Sequence, residues 1–327
     1  MSNAYTRRAA LGLAASLALV SALPAHADAW KPMKPVEMVI MAGQGGGADR
    51  LARLFQAIIQ EGRMASMPVV PVNKGGGSGA EALRYLADKD GDAHTIMATL
   101  NSYYTTPLRT NIGVDIAEFT PIARMAVDTF VIWVNADSEI QTLDDYVAAV
   151  KAAGGNWKMG GTGTGQEDSL VSAMLEQRFG IKFTYVPFGG GGEVAKNLVG
   201  NHVQSTVNNP SEAMGFYKAG KVRPIAALTE ARIPALGDVP TMAELGQPMV
   251  YSMQRSFVGP ADMPAEAVAY YTDIFTKLAA SDRWQSYTAE NALSADLLTG
   301  QALQDYFLSE RDSHAALLRS MGEIPGS

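Results

Sequence analysis

Twice along this chain an apolar strand runs into a cluster of glycines and then a helix, and each time the unit is repeated at once. Residues 38–42 are apolar and Gly43 and Gly45, Gly46 and Gly47 follow. Leu51, Leu54, Phe55, Ile58 and Ile59 then recur at helical spacing. "MPVVPVN" (67–73) leads through "KGGGSG" (74–79) to a helix carrying Ala82, Leu83, Leu86 and Ala87, and "HTIMATLN" (94–101) reads as a third strand. In the second half "NWKMG" (156–160) leads through "GTGTGQEDS" (161–169) to a helix with Leu170, Met174 and Leu175. "KFTYVPF" (182–188) leads through four glycines (189–192) to "EVAKNLVG", and "HVQSTVNN" (202–209) ends on two asparagines. The interval from Gly45 to Gly75 is 30 residues and that from Gly160 to Gly189 is 29. This is one β-α-β-α-β order used twice, which predicts an α/β protein of two lobes, each a mostly parallel sheet flanked by helices. In such sheets ligands sit beyond the carboxyl ends of the strands. A glycine loop at a strand-to-helix junction can be a tight turn that needs positive φ. It can also let backbone N–H groups approach an anion at the helix N-terminus. Four such loops on two ligand-binding edges favour the second reading.

Between the halves, "FTPIARMAVDTFVIWVN" (119–135) is apolar and β-rich, a crossing strand, and "VRPIAAL" (222–228) is its return. "TLDDYVAAVKAAGG" (142–155) reads as a helix with Thr142 at the N-cap, Asp145 three residues on and glycines at its end. Two amphipathic helices, 266–280 and 300–321, complete the first lobe. The expected division is residues 28–123 with 228–327 in lobe one and 124–227 in lobe two.

The N-terminus has Arg7 and Arg8, a small-residue apolar stretch to about Ala22, and Ala25-His26-Ala27. This is the pattern of a secretory signal peptide cut after Ala27, by the general or the twin-arginine route, and it places the mature chain in the periplasm. The signal holds two arginines and no acid, so the 26 basic residues fall to 24 against 33 acidic ones and the net charge moves from −7 to −9. Nucleic acid is disfavoured as a partner. With no cysteine in the chain, thiol catalysis and thiolate metal sites are excluded.

No nucleotide, zinc-protease or serine-hydrolase motif is present, and His94, His202 and His314 have no ligand-like spacing. Asp49, Glu167 and Asp168 lie beside glycine loops, where acids serve as helix N-terminal caps or, less simply, as a general acid/base pair. A phosphate dianion would be repelled there, and 43–49 and 160–166 hold no lysine or arginine. A carboxylate held by neutral donors fits better. Thr162, Thr164, Gln166 and Ser169 offer such donors in the second lobe, and Asn101, Ser102, Asn208 and Asn209 at strand ends. Tyr103 and Tyr104 either cover a ligand or pack the lobe. Arg255, in "MQRSF", is either a cleft cation or a surface arginine. No cofactor or metal is implied.

In "GQGGGADRLAR" (43–53), "VNKGGGSGAEAL" (72–83), "GGTGTGQEDSL" (160–170), "VPFGGGGEVAKNLVGNHV" (186–203) and "YKAGKVRPIAALTEARIPALGDVPTMAELG" (217–246) the chain resembles the extracytoplasmic solute receptors of the tripartite tricarboxylate transporters, or Bug receptors. The resemblance spans essentially the whole mature chain. It implies a two-lobed periplasmic-binding-protein (Venus-flytrap) fold closing on a ligand carboxylate. By position it implicates Gly46, Gly47, Ala48 and Asp49 in one lobe and Thr162, Gly163, Thr164 and Gly165 in the other. Several positions depart from the family's common pattern: Ala42-Gly43-Gln44 and Ala48 in the first loop, Gln166 to Ser169 in the second, and Asn208-Asn209 for the usual Asp-Asn. The resemblance implies a monomeric receptor that hands a small organic carboxylate to the membrane components of such a transporter. The alternative is a secreted α/β enzyme acting on a small organic acid, with Asp49 and Asp168 as its carboxylates.

Overall fold

A computed structural model describes residues 30–325; the expected signal and its cut after Ala27 lie outside the described residues. The first β-α-β-α-β run is β1 (Val36–Ile40), α1 (Gly47–Glu61), β2 (Val69–Asn73), α2 (Ala80–Ala87) and β3 (Thr95–Thr99), followed by α3 (Ser102–Arg109). Strand β4 (Thr120–Thr129) leads to the second run: β5 (Val131–Asn135), α4 (Leu143–Ala152), β6 (Lys158–Gly161), α5 (Glu167–Phe179), β7 (Thr184–Pro187), α6 (Gly191–Val199), β8 (Ser205–Thr206), α7 (Pro210–Lys218) and β9 (Val222–Ala227). The chain ends with β10 (Ser252–Gly259), α8 (Ala265–Ala279), α9 (Asp282–Glu290), β11 (Ser294–Leu298) and α10 (Gly300–Ser320).

Two sheets result, ordered β11-β4-β10-β3-β1-β2 and β7-β6-β8-β5-β9. Each holds a parallel trio with the repeated element in the middle. Val39 of β1 pairs with Val72 and Met97, and Met159 of β6 with Tyr185 and Ser205. Each trio is completed by antiparallel strands, β10, β4 and β11 in one sheet and β5 and β9 in the other. The sheets are therefore mixed, with the parallel part at the glycine loops. The apolar stripe of α1, Leu51, Ala52, Phe55, Ile58 and Ile59, is buried as its spacing requires. Helix α4 opens on the expected capping box, the Thr142 hydroxyl accepting from the Asp145 amide and the Asp145 carboxylate from the Thr142 amide.

The change of sheet falls at Phe130. Arg124 to Thr129 stay in the first sheet because they continue to pair with β10, so β4 runs six residues past the expected division after residue 123. The return lies alongside: the Leu228 amide donates to Phe130 O at 2.9 Å and the Tyr251 amide to Leu228 O at 3.1 Å. Tyr103 and Tyr104 are both fully buried and pack the lobe. The Tyr103 hydroxyl donates to Ile116 O and its ring lies 4.9 Å from Phe307, while Tyr104 lies 4.8 Å from the His314 ring. His314, itself buried, also meets the Tyr251 hydroxyl through Nε2 at 3.1 Å.

The C-terminal elements share a core with the first run. Phe257 of β10 stacks on Phe275 of α8 at 4.4 Å and faces Phe55 of α1 at 5.5 Å; Trp284 of α9 meets Phe55 edge-on at 4.9 Å. Phe257→Ala is expected to cost about 3–5 kcal/mol by transfer and cavity terms together. Denaturant unfolding checks it, and a loss below about 1 kcal/mol would mean this aromatic cluster does not join the two segments.

Candidate functional site

Four helices begin at one place. Glycine loops or strand ends deliver the first residues of α1, α5, α6 and α7 to a cavity of about 40 Å³ between the two sheets. Its walls are Ala42, Gly43, Gly46, Gly47, Ala48, Gly75 and Leu100 from one lobe and Thr162, Gln166, Glu167, Asp168, Gly189, Gly190, Gly191, Asn209 and Glu212 from the other, with Met253 and Arg255 at the back. That volume holds a few water-sized groups. A larger groove of about 290 Å³ lies among Gln56, Arg63 and Met67, near the far end of α1 and away from every glycine loop.

The glycines answer a packing demand as well as a binding one. A Cβ on Gly43 would lie 2.0 Å from Gly189 O, and one on Gly192 would lie 2.3 Å from Gly45 O. The two lobes thus touch backbone to backbone across the cleft. A Cβ on Gly47 would stand 2.4 Å from Arg255 Nη2 and one on Gly191 2.0 Å from the Glu212 carboxylate. Only Gly45 of the first loop needs its residue type for conformation, with φ of +78°.

The helix N-termini are answered by the protein's own acids. Asp49 accepts from the Gly45 amide at 2.9 Å, from Asn73 Nδ2 at 3.0 Å and from Arg53 Nε at 2.9 Å. Burial opposes its ionisation, but the Arg53, Gly45 and Asn73 hydrogen bonds outweigh that and hold its carboxyl below the ordinary value. Glu212 reaches across the cleft, accepting from the Gly47 amide at 2.8 Å and from Asn208 Nδ2 at 2.9 Å. Glu167 crosses too and accepts from the Ser102 amide, the first of α3, at 2.7 Å. Burial pushes its carboxyl up to about 7, against its own amide, that of Ser102 and the charge of Arg255, with the Glu212 charge adding to the rise. Asp168 accepts from the Thr162 amide at 2.8 Å; burial first and the Glu212 charge second push it well above the carboxylate range.

Arg255 is a cleft residue, 3 % exposed. In the β10–β4 ladder Arg255 pairs with Ala126 in unbroken register from Ser252, which makes Asp128 its diagonal neighbour on the same face. Its Nε and Nη2 donate to Asp128 Oδ2 on β4, and Nη2 also to Asn209 Oδ1 at 3.2 Å. Burial works against its charge, but the Asp128 carboxylate overrides this and holds the guanidinium above its ordinary value.

Of the residues expected from sequence, Gly46, Gly47, Ala48, Thr162, Gln166, Asn209 and Arg255 line the cavity. The others stand one step back. Gln44 is exposed at the loop tip and Asp49 is occupied within its loop. Asn101 ties to Ser252 O and the Gln254 amide, Ser102 carries Glu167, and Asn208 braces Glu212 and Gly191 O. The Gly163 amide donates to Gln166 Oε1, Thr164 O accepts from the Ser78 hydroxyl of the facing lobe, and Gly165 lies under Arg109. Asp49 and Asp168 do not share the cavity, so the acid/base pair of the enzyme alternative is not assembled. Glu212 and the glycines at 189–191 were missed as site residues. An acid in the first turn after Pro210, just beyond the Asn208-Asn209 strand end, was the available signal for Glu212.

The sequence matches the family TctC, described as Tripartite tricarboxylate transporter family receptor, over residues 52–322. Among curated proteins it is 26% identical over 320 residues to the UPF0065 protein in the gbd 5′ region of Cupriavidus necator, covering 97% of each chain. Among solved structures, the periplasmic binding protein BugD superposes with a TM-score of 0.84 at 23% identity, over 90% of this chain and 99% of that one. Rpa4515 of R. palustris, solved with adipate, gives 0.83 at 24%, over 89% and 98%.

Two variants test the geometry. Gly43→Ala should keep the circular dichroism spectrum yet prevent the lobes from meeting, seen as a larger radius of gyration by small-angle scattering; an unchanged radius would remove the backbone contact as the limit on closure. Arg255→Met leaves Asp128 buried without its cation and should cost about 3–5 kcal/mol. Asp128→Asn added to it should restore part of that loss, and strictly additive losses would show that the two residues do not act as a pair.

Proposed function

The chain belongs to the tripartite tricarboxylate transporter receptor family, and on that premise we propose that it is a periplasmic receptor which captures a small organic carboxylate in the interlobe cavity and delivers it to the membrane components of such a transporter. The observation that carries this reading is the convergence of four helix N-termini, from both lobes, on one cavity walled by glycine backbone. The adipate held by Rpa4515 and the periplasmic setting of BugD are consistent with it. The export signal, cut after Ala27, would place the mature monomer in that compartment.

Neutral donors carry the recognition in this reading. Residues 43–49 and 160–166 hold no lysine or arginine, and the charge of Arg255 is already balanced by Asp128. A hydrogen bond from a neutral donor to a carboxylate contributes about 1.5–3 kcal/mol, and several together reach micromolar affinity, about −8.2 kcal/mol.

Thermal-shift screening of mono-, di-, tri- and aromatic carboxylates tests capture. A true ligand at a hundredfold excess over Kd stabilises the fold by about 2.7 kcal/mol, and a screen in which no carboxylate raises the melting temperature would sink the proposal. Affinity for the best acid should change by less than about tenfold between roughly 20 and 500 mM salt, because the donors are short-range and enclosed. A larger loss would assign the dominant role to an unshielded cation.

A further inference from the structure

The loop tip Gly163-Thr164-Gly165 of the second lobe is seated in a notch of the first. From its contacts we propose that Ser78 and Arg109, with Glu323 behind Arg109, latch that tip and set how long the closed form lasts. The three are positioning residues. None lines the cavity, and each acts through the loop between β6 and α5, which brings Thr162 and Gln166 to it. The latch governs release rather than recognition, so it does not depend on which solute is held.

Ser78 is the fixed side of the notch. Its hydroxyl donates to Thr164 O at 3.0 Å, and its own carbonyl accepts from the Thr106 hydroxyl at 2.7 Å. A Cβ on Gly163 would lie 2.9 Å from Ser78 Oγ, an approach that only glycine allows. The backbone at this point is costly. Gly77, Ser78 and Gly79 follow one another with φ of +60°, +57° and +89°. Glycine enters that left-handed region freely and serine does not. Two of the three positions are therefore glycine, and the third keeps a side chain whose hydroxyl crosses the cleft. Strain retained where a residue makes such a contact points to a functional constraint.

Arg109, near the end of α3, is the movable side. Its guanidinium lies over Gly165, where a Cβ would fall 1.2 Å from Nη1 and 2.3 Å from Cζ, so no side chain fits beneath it. Nε is enclosed without an acceptor among the described residues, and Nη2 donates to Glu323 Oε2 at 2.6 Å. Glu323 stands just past α10, placed by a turn in which its amide donates to Leu318 O at 2.9 Å and Gly322 takes φ of +71°. The ion pair is part-exposed. Glu323 thus holds the guanidinium on the loop, and losing that pair frees it to swing clear. Contacts formed only once the lobes have met slow their parting and leave their approach unchanged, and lid opening of this kind commonly sets the rate of release.

Single-molecule fluorescence energy transfer on the unliganded mature protein tests the latch. The chain has no cysteine of its own, so dyes go on Asp88→Cys in the first lobe and Lys196→Cys in the second, both exposed positions. Ser78→Gly removes the hydroxyl and relieves the backbone together. The expected result is opening at least about threefold faster, with closing unchanged and the melting temperature no lower. Arg109→Ala should speed opening to a similar degree, and Glu323→Gln should do so only while Arg109 is present. Unchanged opening in Ser78→Gly and Arg109→Ala would overturn the latch. A lower melting temperature in Ser78→Gly, with opening and closing both altered, would overturn it in favour of a merely structural role. A single fixed interlobe distance in every protein would overturn it as well, and full additivity of Glu323→Gln with Arg109→Ala would remove Glu323 from it. No solute is added, so these outcomes leave the carboxylate reading untouched, and a failed carboxylate screen leaves the latch standing.

Discussion

Two pieces of main chain meet where no side chain can stand. Gly43 against Gly189 and Gly45 against Gly192 bring the loops that follow β1 and β7 into backbone contact, and everything at the site is arranged around that approach. A β-carbon at Gly43 or Gly192 would fall within 2.3 Å of a carbonyl oxygen of the facing loop, a distance real carbon atoms do not adopt. Keeping those carbons off lets α1 and α6 point their first N–H groups into a shared space from opposite sides. The parallel trio in each sheet follows from the same demand, because only parallel strands with helical crossovers place successive loops on one edge. The antiparallel strands β4, β5, β9 and β10 have a separate task, carrying the chain between lobes.

The N-termini so gathered do not face an empty cavity. Asp49, Asp168, Glu193 and Glu212 each accept from a loop amide, at Gly45, Thr162, Gly189 and Gly47 respectively. Three of these contacts are local, an acid within the first turn or so of its own helix, and they set the shape of the loop. The fourth is different. Glu212 spans the two lobes, and with Glu167 on the Ser102 amide it makes carboxylate-to-helix contacts the means by which the lobes hold each other. The donors are of the kind a ligand carboxylate would use.

The repeated plan was legible because its signals are local: apolar runs, glycine clusters and helical periodicity that tertiary context did not override. The capping box at Thr142 and Asp145 was legible for the same reason. Strand β11 gave no signal, since four of its five residues are exposed and no alternation marks a buried face. Helix α9 was missed although Ser281 caps it, because it is nine residues long and follows α8 almost at once. At the site the glycine loops could be read and Arg255 was left between a cleft cation and a surface arginine, but Glu212 could not be tied to Gly47, 165 residues away. Nor could periodicity show that Arg255 would meet Asp128, since that contact depends on the pairing of two strands 127 residues apart in sequence. Local geometry is written in the sequence, whereas the pairing of charges across the cleft is a property of the closed molecule.

Closure and capture therefore draw on common groups. Polar contacts that span the cleft include Glu212 to the Gly47 amide, Glu167 to the Ser102 amide, Arg50 to Ser211 O at 2.8 Å, the Ser78 hydroxyl to Thr164 O at 3.0 Å, Arg255 Nη2 to Asn209 Oδ1 at 3.2 Å and Asn209 Nδ2 to Thr129 O at 2.6 Å. Each nets about 0.5–3 kcal/mol against water, the charged ones most, so the closed form is held by a margin that a solute can supply or remove. The crossing segments at Phe130 and Leu228 are themselves paired, the Leu228 amide donating to Phe130 O. A solute shifts that balance only by binding the closed form better than the open one. Its advantage must come from groups that are free when the lobes are together. Selectivity then arises from what closure leaves unspent rather than from the full set of groups at the cleft.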